Sequence, residues 1–508
     1  MIRRIFNADT HRCRATYAWS LNSPVYPLVL SLCLCVFAIN LNAQEVPPAP
    51  GASKTVSVPA VKETKLGNGL TIAVVERHGV PLVTVRLLVR TGAANEDKSK
   101  AGLADMTASM LTKGTKRLSA TQIAQEIEFL GGSIDSGAGW NSSNVSVTVT
   151  SDKLDKAMDI LADVVLNPSF KQEEIDLLKS QTLDELKYNL KQPGFLASYV
   201  ATKYSFGEHP TGGTQSSINA ITRDDIVNFH ARGFRPERSV LIFAGDITQA
   251  RANATAQKLF GAWRGPSSES ATASVATAAE MANAAATPSR ILVIDLPNSG
   301  QASVSYQRNV IGIGRKSSSF YPSSVLNSVL GGGYSSRLNQ EIRIKRGLSY
   351  GAGSSFGWRN AKANFATRTQ TKNESAAEVV ELVLAEVNKL AQGSITDTEL
   401  VPRKSVLTGN FGRNLETTAG LAGAVADLYA FGIPTAELNA YVNNVNSVTD
   451  AQIRDFAAKN LPGGDIIVVG DYSVFKDDLT KRFPNMKVEV VKADELDIAK
   501  DTLGKKHL

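Results

Sequence analysis

Cysteine is almost absent from this chain of 508 residues, which contains only three. All three (Cys13, Cys33 and Cys35) lie near the amino terminus. A chain that loses this segment has no thiol, which excludes disulfides, thiolate metal sites and cysteine nucleophiles. The net charge of +7 is small for the length, and no basic cluster carries interleaved aromatic residues. We therefore do not expect nucleic acid as a partner.

The amino-terminal segment has the three parts of a secretory signal peptide. Arginines precede an apolar run at residues 28–39, and the small residue Ala43 is followed by polar residues. The run is too short to span a bilayer comfortably. We therefore expect a signal peptide over residues 1–43 and a periplasmic location for the processed chain. An uncleaved leader that anchors the chain to the membrane is the alternative.

Two stretches of low complexity divide the remaining chain. Residues 44–56 are rich in Pro, Ala, Gly and Ser, which predicts a tether, and residues 267–288 are rich in Ser and Ala, which predicts a linker. A chain of this length exceeds one ordinary domain. We expect an amino-terminal domain at 57–266, a carboxyl-terminal domain at 289–490 and a tail at 491–508.

The two expected domains repeat one sequence pattern. In the first, Thr222 precedes a helical pattern that leads to an apolar strand and then to Gly245-Asp246. In the second, Thr449 precedes the same kind of helix and strand, which end at Gly470-Asp471. Threonine is suited to cap a helix at both places. The repeat predicts an internal duplication, and the block order of strands and helices predicts an α+β fold of two homologous α/β-layer domains.

Hydrophobic periodicity predicts the elements of each half. Strands are expected at residues 70–75, 82–89, 144–150, 290–294 and 302–308, and helices at 102–111 and 321–330. Long helical blocks are expected at 153–190 and 374–407, with breaks near Pro168 and Gly393.

The helix expected at 102–111 carries a family signature. Residues 101–115 read AGLADMTASMLTKGT. The segment resembles the active-site helix of pitrilysin/insulinase-type (inverted zincin) metallopeptidases, which has the pattern G-x-A-H-x-x-E-H-M followed by K-G-T. Three chemical positions differ, because Asp105 replaces the first zinc histidine, Ala108 the catalytic glutamate and Ser109 the second zinc histidine.

The substitutions remove the chemistry that the family helix performs. Two histidines four residues apart bind zinc, and the glutamate between them is the general base for a zinc-bound water. Ala108 accepts no proton and Ser109 is a poor zinc ligand, so we expect this chain to bind no cofactor. The family spacing places the third ligand at Glu185. With Asp105 it forms either a weak site for a hard cation or a pair of helix-face carboxylates.

Histidine is scarce outside the leader. The four residues (His78, His209, His230 and His507) are not paired at ligand spacing. We expect them at the surface or in loops.

A second signature lies in the later half. Residues 330–338 read LGGGYSSRL, and residues 342–350 read IRIKRGLSY. The family patterns are approximately G-G-G-x-x-S-R-L and R-x-x-x-G-L-x-Y. No Gly-Lys-Ser/Thr ending follows the glycines, so we expect a tight turn against another backbone and not a phosphate loop.

The second signature implies a role for Arg343 and Tyr350. In the family these residues reach a zinc site formed by another domain or subunit, where guanidinium and phenol groups stabilise the charge that develops during proteolysis. The alternative is that Arg343 pairs with a structural carboxylate and that Tyr350 packs at the start of a strand.

The resemblance implies the non-zinc, Arg/Tyr-bearing subunit of a heterodimeric zinc metalloendopeptidase. Such a chain forms half of a clam-like chamber around a peptide substrate, and zinc resides in a paralogous partner subunit. A non-catalytic peptide-binding or scaffold protein of the same fold is one alternative. A self-sufficient peptidase that uses Asp105 and Glu185 is another.

Overall fold

A computed structural model describes residues 57–265, 290–500 and 502–504. The expected signal peptide at 1–43, tether at 44–56 and linker at 267–288 lie outside the described residues. Within the described ranges, no helix combines the length and the apolar character needed to cross a membrane.

The first half contains one six-stranded sheet in the order β1-β2-β6-β3-β5-β4. Its strands are β1 (Lys62–Lys65), β2 (Thr71–Glu76), β3 (Leu82–Val89), β4 (Ser133–Ala138), β5 (Ser143–Thr150) and β6 (Ser239–Gly245). Its helices are α1 (Leu103–Met110), α2 (Ala120–Phe129), α3 (Leu154–Leu166), α4 (Gln172–Asn189), α5 (Pro193–Tyr204), α6 (Gln215–Ala220), α7 (Arg223–Gly233) and α8 (Gln249–Phe260).

The second half contains another six-stranded sheet in the order β12-β7-β11-β8-β10-β9. Its strands are β7 (Ile291–Asp295), β8 (Ala302–Ile311), β9 (Ala352–Trp358), β10 (Lys362–Thr371), β11 (Asp465–Gly470) and β12 (Val488–Lys492). Its helices are α9 (Phe320–Leu330), α10 (Ala376–Gln392), α11 (Asp397–Leu415), α12 (Thr418–Phe431), α13 (Glu437–Ser447), α14 (Asp450–Asn460) and α15 (Tyr472–Arg482).

Five strands of each sheet follow the same topology. The series β2-β6-β3-β5-β4 corresponds to β7-β11-β8-β10-β9. In each series the first two strands are parallel and the later neighbours are antiparallel. The sheets differ only at the outer edge, where β1 runs antiparallel to β2 and β12 runs parallel to β7. The fold is therefore α+β with a duplicated unit, as the sequence predicts.

The local signals in the sequence correspond to element boundaries. The first helical block is interrupted at Pro168, between α3 and α4, and the second at Gly393, between α10 and α11. The Thr222 hydroxyl oxygen accepts a hydrogen bond from the backbone amide of Asp225 (N–O distance 3.2 Å), and the Thr449 hydroxyl oxygen accepts one from the backbone amide of Gln452 (3.3 Å). Both threonines are therefore the helix caps that the repeated pattern predicts.

Each half covers one face of the other half's sheet with a helix. Helix α12 packs on β3 and β6 of the first sheet, and helix α5 packs on β8 and β11 of the second. Leu421 and Val425 of α12 share a core cluster with Val75 and Ile242 of the first sheet. Helices of the same half cover the opposite face. Strand β6 is buried at every residue, as expected for a strand that is covered on both faces.

Candidate functional site

Helix α1 occupies the position of the motif helix and is held at its start by a buried acid. The Glu96 side chain is fully buried. Its carboxylate accepts hydrogen bonds from the backbone amides of Gly102 at 2.9 Å and Ala104 at 2.7 Å. A carboxylate at this end of a helix stabilises it through the unpaired amides and the helix dipole. Gly102 has φ +94°, and a Cβ there would lie 3.1 Å from the Gly213 backbone. Glu96 and the close packing of Gly102 against Gly213 thus define where α1 begins.

The three altered motif positions face different surroundings. Ala108 is fully buried, whereas Asp105 and Ser109 lie one turn apart on the partly exposed face of α1. Burial raises the pKa of Asp105, and the nearby charges of Glu96 and Glu185 raise it further. Glu185 itself is exposed on α4. The two carboxyl groups are therefore close enough to interact electrostatically.

These positions do not fit a zinc ion. The face that would carry two imidazoles carries one carboxyl and one hydroxyl, and a methyl group stands where a general base is required. In the three described ranges, no group of three or more His, Cys, Asp and Glu side chains is arranged to hold a metal ion.

The histidines have structural partners. His78 is exposed and pairs with Asp246 at 2.8 Å, and His209 lies in a loop with its Nε2 2.9 Å from Glu96. His230 lies on α7 with its Nε2 2.9 Å from the Val165 carbonyl oxygen, and burial lowers its pKa to about 4. The expectation of a surface or loop position is wrong for His230, because the last turn of α3 supplies a buried acceptor. His507 lies outside the described residues.

The glycine segment after α9 makes the tight approach that its sequence predicts. A Cβ on Gly331 would lie 2.2 Å from the backbone nitrogen of Ser354. The Gly331 carbonyl accepts the amide of Ser354 at 3.1 Å. Close contact between this turn and strand β9 therefore requires glycine.

Arg343 lies in a π-helical turn, Asn339–Ile344. Its guanidinium carbon lies 5.0 Å from the centre of the Tyr334 ring, which is cation–π distance. Within the part of the chain that the structure describes, no carboxylate forms an ion pair with Arg343. The carboxylate of Glu399 pairs instead with Arg337, at 2.8 and 2.7 Å.

Tyr350 stands at the edge of an open cleft. Its side chain is 90% exposed. The cleft has a volume of about 520 Å³ and lies between the first turns of α5 and strands β8 and β10 of the second sheet. Tyr350 therefore does not pack into a core at the start of β9, contrary to the alternative considered for it.

Two family models match the chain. Residues 71–203 match the model described as insulinase (peptidase family M16), and residues 220–407 match the model described as peptidase M16 inactive domain. The chain belongs to the peptidase M16 family. This result confirms the resemblance that the two motifs indicate.

Relatives of known sequence or structure agree with this assignment to M16. An uncharacterized zinc protease of Mycobacterium leprae is 29% identical, covering 70% of this chain and 79% of the relative. A non-peptidase homolog of Helicobacter pylori is 26% identical, covering 75% and 87%. The crystal structure of a peptidase M16 inactive domain from Pseudomonas fluorescens superposes with a TM-score of 0.72 at 26% identity, covering 81% and 98%. These matches are consistent with a non-catalytic, partner-type M16 chain.

Sequence analysis did not single out two residues that lie beside the two motifs. Glu96 lies six residues before Gly102, which is outside the spacing of a helix cap or capping box, so no local pattern identifies it. Arg368 lines the cleft beside Tyr350. Its strand alternates polar and apolar residues, which identifies a strand but not what the polar face meets.

Proposed function

We propose that this chain is the non-zinc subunit of a heterodimeric M16 metalloendopeptidase, exported to the periplasm, and that its zinc-bearing partner is a paralogous subunit. The observation that carries the proposal is the exposure of Tyr350 beside an open cleft. Tyr350 is 90% exposed, and tyrosine is enriched at interfaces because its ring is apolar and its hydroxyl can form a hydrogen bond. Loss of the ligands on α1 supports a partner as the source of zinc.

The proposed contribution of this chain is electrostatic. Proteolysis places negative charge on the attacked carbonyl oxygen, and donors aimed at that oxygen stabilise the transition state. The Tyr350 hydroxyl is a suitable donor, and the Arg343 guanidinium supplies a charge that does not change with pH. Two observations support this role for Arg343. It has no carboxylate partner among the described residues, and Tyr334 restrains its position.

Co-expression with a paralogue that carries H-x-x-E-H tests the proposal. Hydrolysis of an unstructured peptide is expected to require both chains. Replacing Tyr350 with Phe or Arg343 with Met is expected to lower kcat/KM about 100-fold, as the loss of one transition-state donor does elsewhere. Tyr188→Phe is the matched control, because Tyr188 is also exposed but lies on α4. Full activity of the double variant at 343 and 350 would overturn the assigned role.

A non-catalytic peptide-binding or scaffold role is the second candidate. The relationship to a non-peptidase homolog of Helicobacter pylori supports it. Under this role the chain binds peptide with unchanged affinity whether or not a zinc-bearing paralogue is present, and the mixture shows the hydrolysis rate of the paralogue alone. A rate increase on mixing contradicts the scaffold role.

A further inference from the structure

The cleft beside Tyr350 has a polar wall on the second sheet. Ser303 and Ser305 of β8 and Arg368 and Gln370 of β10 line it. Ser303 lies directly opposite Gln370 across the two strands, so both side chains are on the face that α5 covers. None of the lining residues is acidic.

Arg368 gives this wall an uncompensated positive charge. It is exposed and lines the cleft. Among the described residues, no carboxylate forms an ion pair with it. A guanidinium in this state is available to a carboxylate from outside the chain, which it can bind through two parallel hydrogen bonds.

The opposite wall is the amino-terminal turn of α5, a helix of 12 residues. Pro193 occupies its first turn and Gln192 makes no side-chain cap. The amides of Gly194 and Phe195, which line the cleft, have no backbone acceptor in the described part of the chain. Unpaired amides and the helix dipole make such a turn favourable for an anion.

Ser303 supplies an independent indication of a ligand. The residue is only 4% exposed, and its neighbours Ala302 and Val304 point into the core on the other side of the sheet. The Ser303 side chain therefore points toward the cleft. Its hydroxyl has no hydrogen-bond partner among the described residues. This hydroxyl is therefore free to donate a hydrogen bond to a ligand that enters the cleft.

We propose that this cleft binds a carboxylate of the peptide substrate, from either its carboxyl terminus or an acidic side chain. The guanidinium of Arg368, the amides of α5 and the hydroxyl of Ser303 are all donors, as a carboxylate requires. Phe195 and Ala197 provide apolar surface for the adjoining part of the peptide. The volume of about 520 Å³ lies within the usual range for sites that hold a small group, roughly 300–1,000 Å³.

The inference rests on the proposed function for the source of the carboxylate, since Tyr350 lines the same cleft as Arg368. A peptide held by its carboxylate at Arg368 would have its neighbouring residues beside the Tyr350 ring. The cleft thus selects acidic or carboxyl-terminal peptide segments and positions them relative to Tyr350.

The test measures peptide binding to the full chain alone by fluorescence anisotropy. Three labelled peptides of one neutral sequence are compared: the free acid, the carboxyl-terminal amide, and the amide with one internal glutamate. The free acid is expected to bind about tenfold more tightly than the amide, as for a charge-assisted hydrogen bond to a partly exposed arginine. Recovery of affinity by the internal glutamate assigns the site to acidic side chains, and no recovery assigns it to the terminus.

Variants separate the cleft from general electrostatics. Arg368→Gln is expected to abolish the preference for the carboxylate, and Ser303→Ala to reduce it. Lys372→Gln is the matched control, because it removes an exposed positive charge just beyond the same strand and outside the cleft. Equal affinity of wild type for all three peptides, or an equal effect of the changes at 372 and 368, overturns the inference.

The two proposals fail separately. Binding is measured without a partner subunit, so a carboxylate preference stands even if mixing with a paralogue gives no hydrolysis. Conversely, peptide hydrolysis that depends on Tyr350 but shows no preference for a carboxylate refutes only the inference about the cleft.

Discussion

Replacing Glu208 with Gln tests an ion network between the two halves. The Glu208 side chain is 4% exposed and lies in the loop after α5. Its carboxylate accepts two hydrogen bonds from the Arg359 guanidinium, at 3.1 and 2.9 Å. It also accepts one from the side-chain amide of Asn364 at 2.9 Å, and it forms an ion pair with Lys362 at 2.9 Å. All three partners belong to β10 or the turn before it. The substitution leaves two cations facing an amide, with nearly unchanged side-chain volume.

The expected cost follows from burial. Removing one partner of a buried ion pair typically costs 3–5 kcal/mol. Arg359 and Lys362 retain side-chain exposures of 20% and 24%, and water therefore compensates part of the loss. We expect the free energy of unfolding to fall by about 2–3 kcal/mol. The matched control is Glu381→Gln, which breaks an ion pair between residues with 56% and 32% exposure and should cost less than about 1 kcal/mol.

The network also predicts a dependence on pH. Burial alone would raise the pKa of Glu208, but Arg359 and Lys362 hold this pKa below its ordinary value of 4.5. A carboxyl with a lowered pKa in the folded state stabilises the fold above its ordinary pKa, and this contribution is lost as pH falls through the lowered value. Urea unfolding from pH 7 down to pH 3 measures both effects. The reasoning is refuted if the Glu208 variant is no less stable than the Glu381 variant at pH 7.

Two further predictions concern stability. His230→Asn is expected to flatten the pH dependence of the free energy of unfolding between about pH 4 and 6.5. Burial lowers the pKa of His230 to about 4, so wild type loses stability as the pH falls through this range and the unfolded chain takes up the proton. An unchanged slope in urea titrations contradicts this reasoning. Gly331→Ala is expected to lower the free energy of unfolding by roughly 3 kcal/mol or more, because the added Cβ would lie 2.2 Å from the Ser354 nitrogen. The nearest atom to a Cβ on Gly333 is 3.8 Å away. Gly333→Ala is therefore the control, and similar melting temperatures of the two variants contradict the argument.

Local patterns in the sequence predicted local structure well. The alternation at residues 144–150 marks β5, and the breaks at Pro168 and Gly393 separate helices, because proline and glycine act on their own backbone. The threonines at 222 and 449 predict helix starts for the same local reason. The approach of Gly331 to β9 was also predicted, as a tight turn against an unspecified backbone.

Contacts between distant segments were not predicted. The helical pattern of α5 does not reveal that it covers the sheet of the other half, since an apolar helix face fits either sheet. The apolar run of β6 is evidence for cover on both faces, but it does not identify the covering helix. The cleft could not be predicted for the same reason, because Arg368 and the first turn of α5 come together only when α5 packs on the sheet of the second half. The roles of Arg343 and Tyr350 stay predictions.

The reciprocal placement of α5 and α12 has a consequence for how the chain can be divided. A half produced alone would carry an uncovered apolar sheet face together with a helix that lacks its own binding surface. Two such halves expressed from separate genes have complementary surfaces, and the apolar sheet face of each half would be covered only when the two halves associate. The fold is thus equivalent to an exchanged dimer joined into one polypeptide, and a truncation at the midpoint should yield aggregation or reassembly, not an isolated domain.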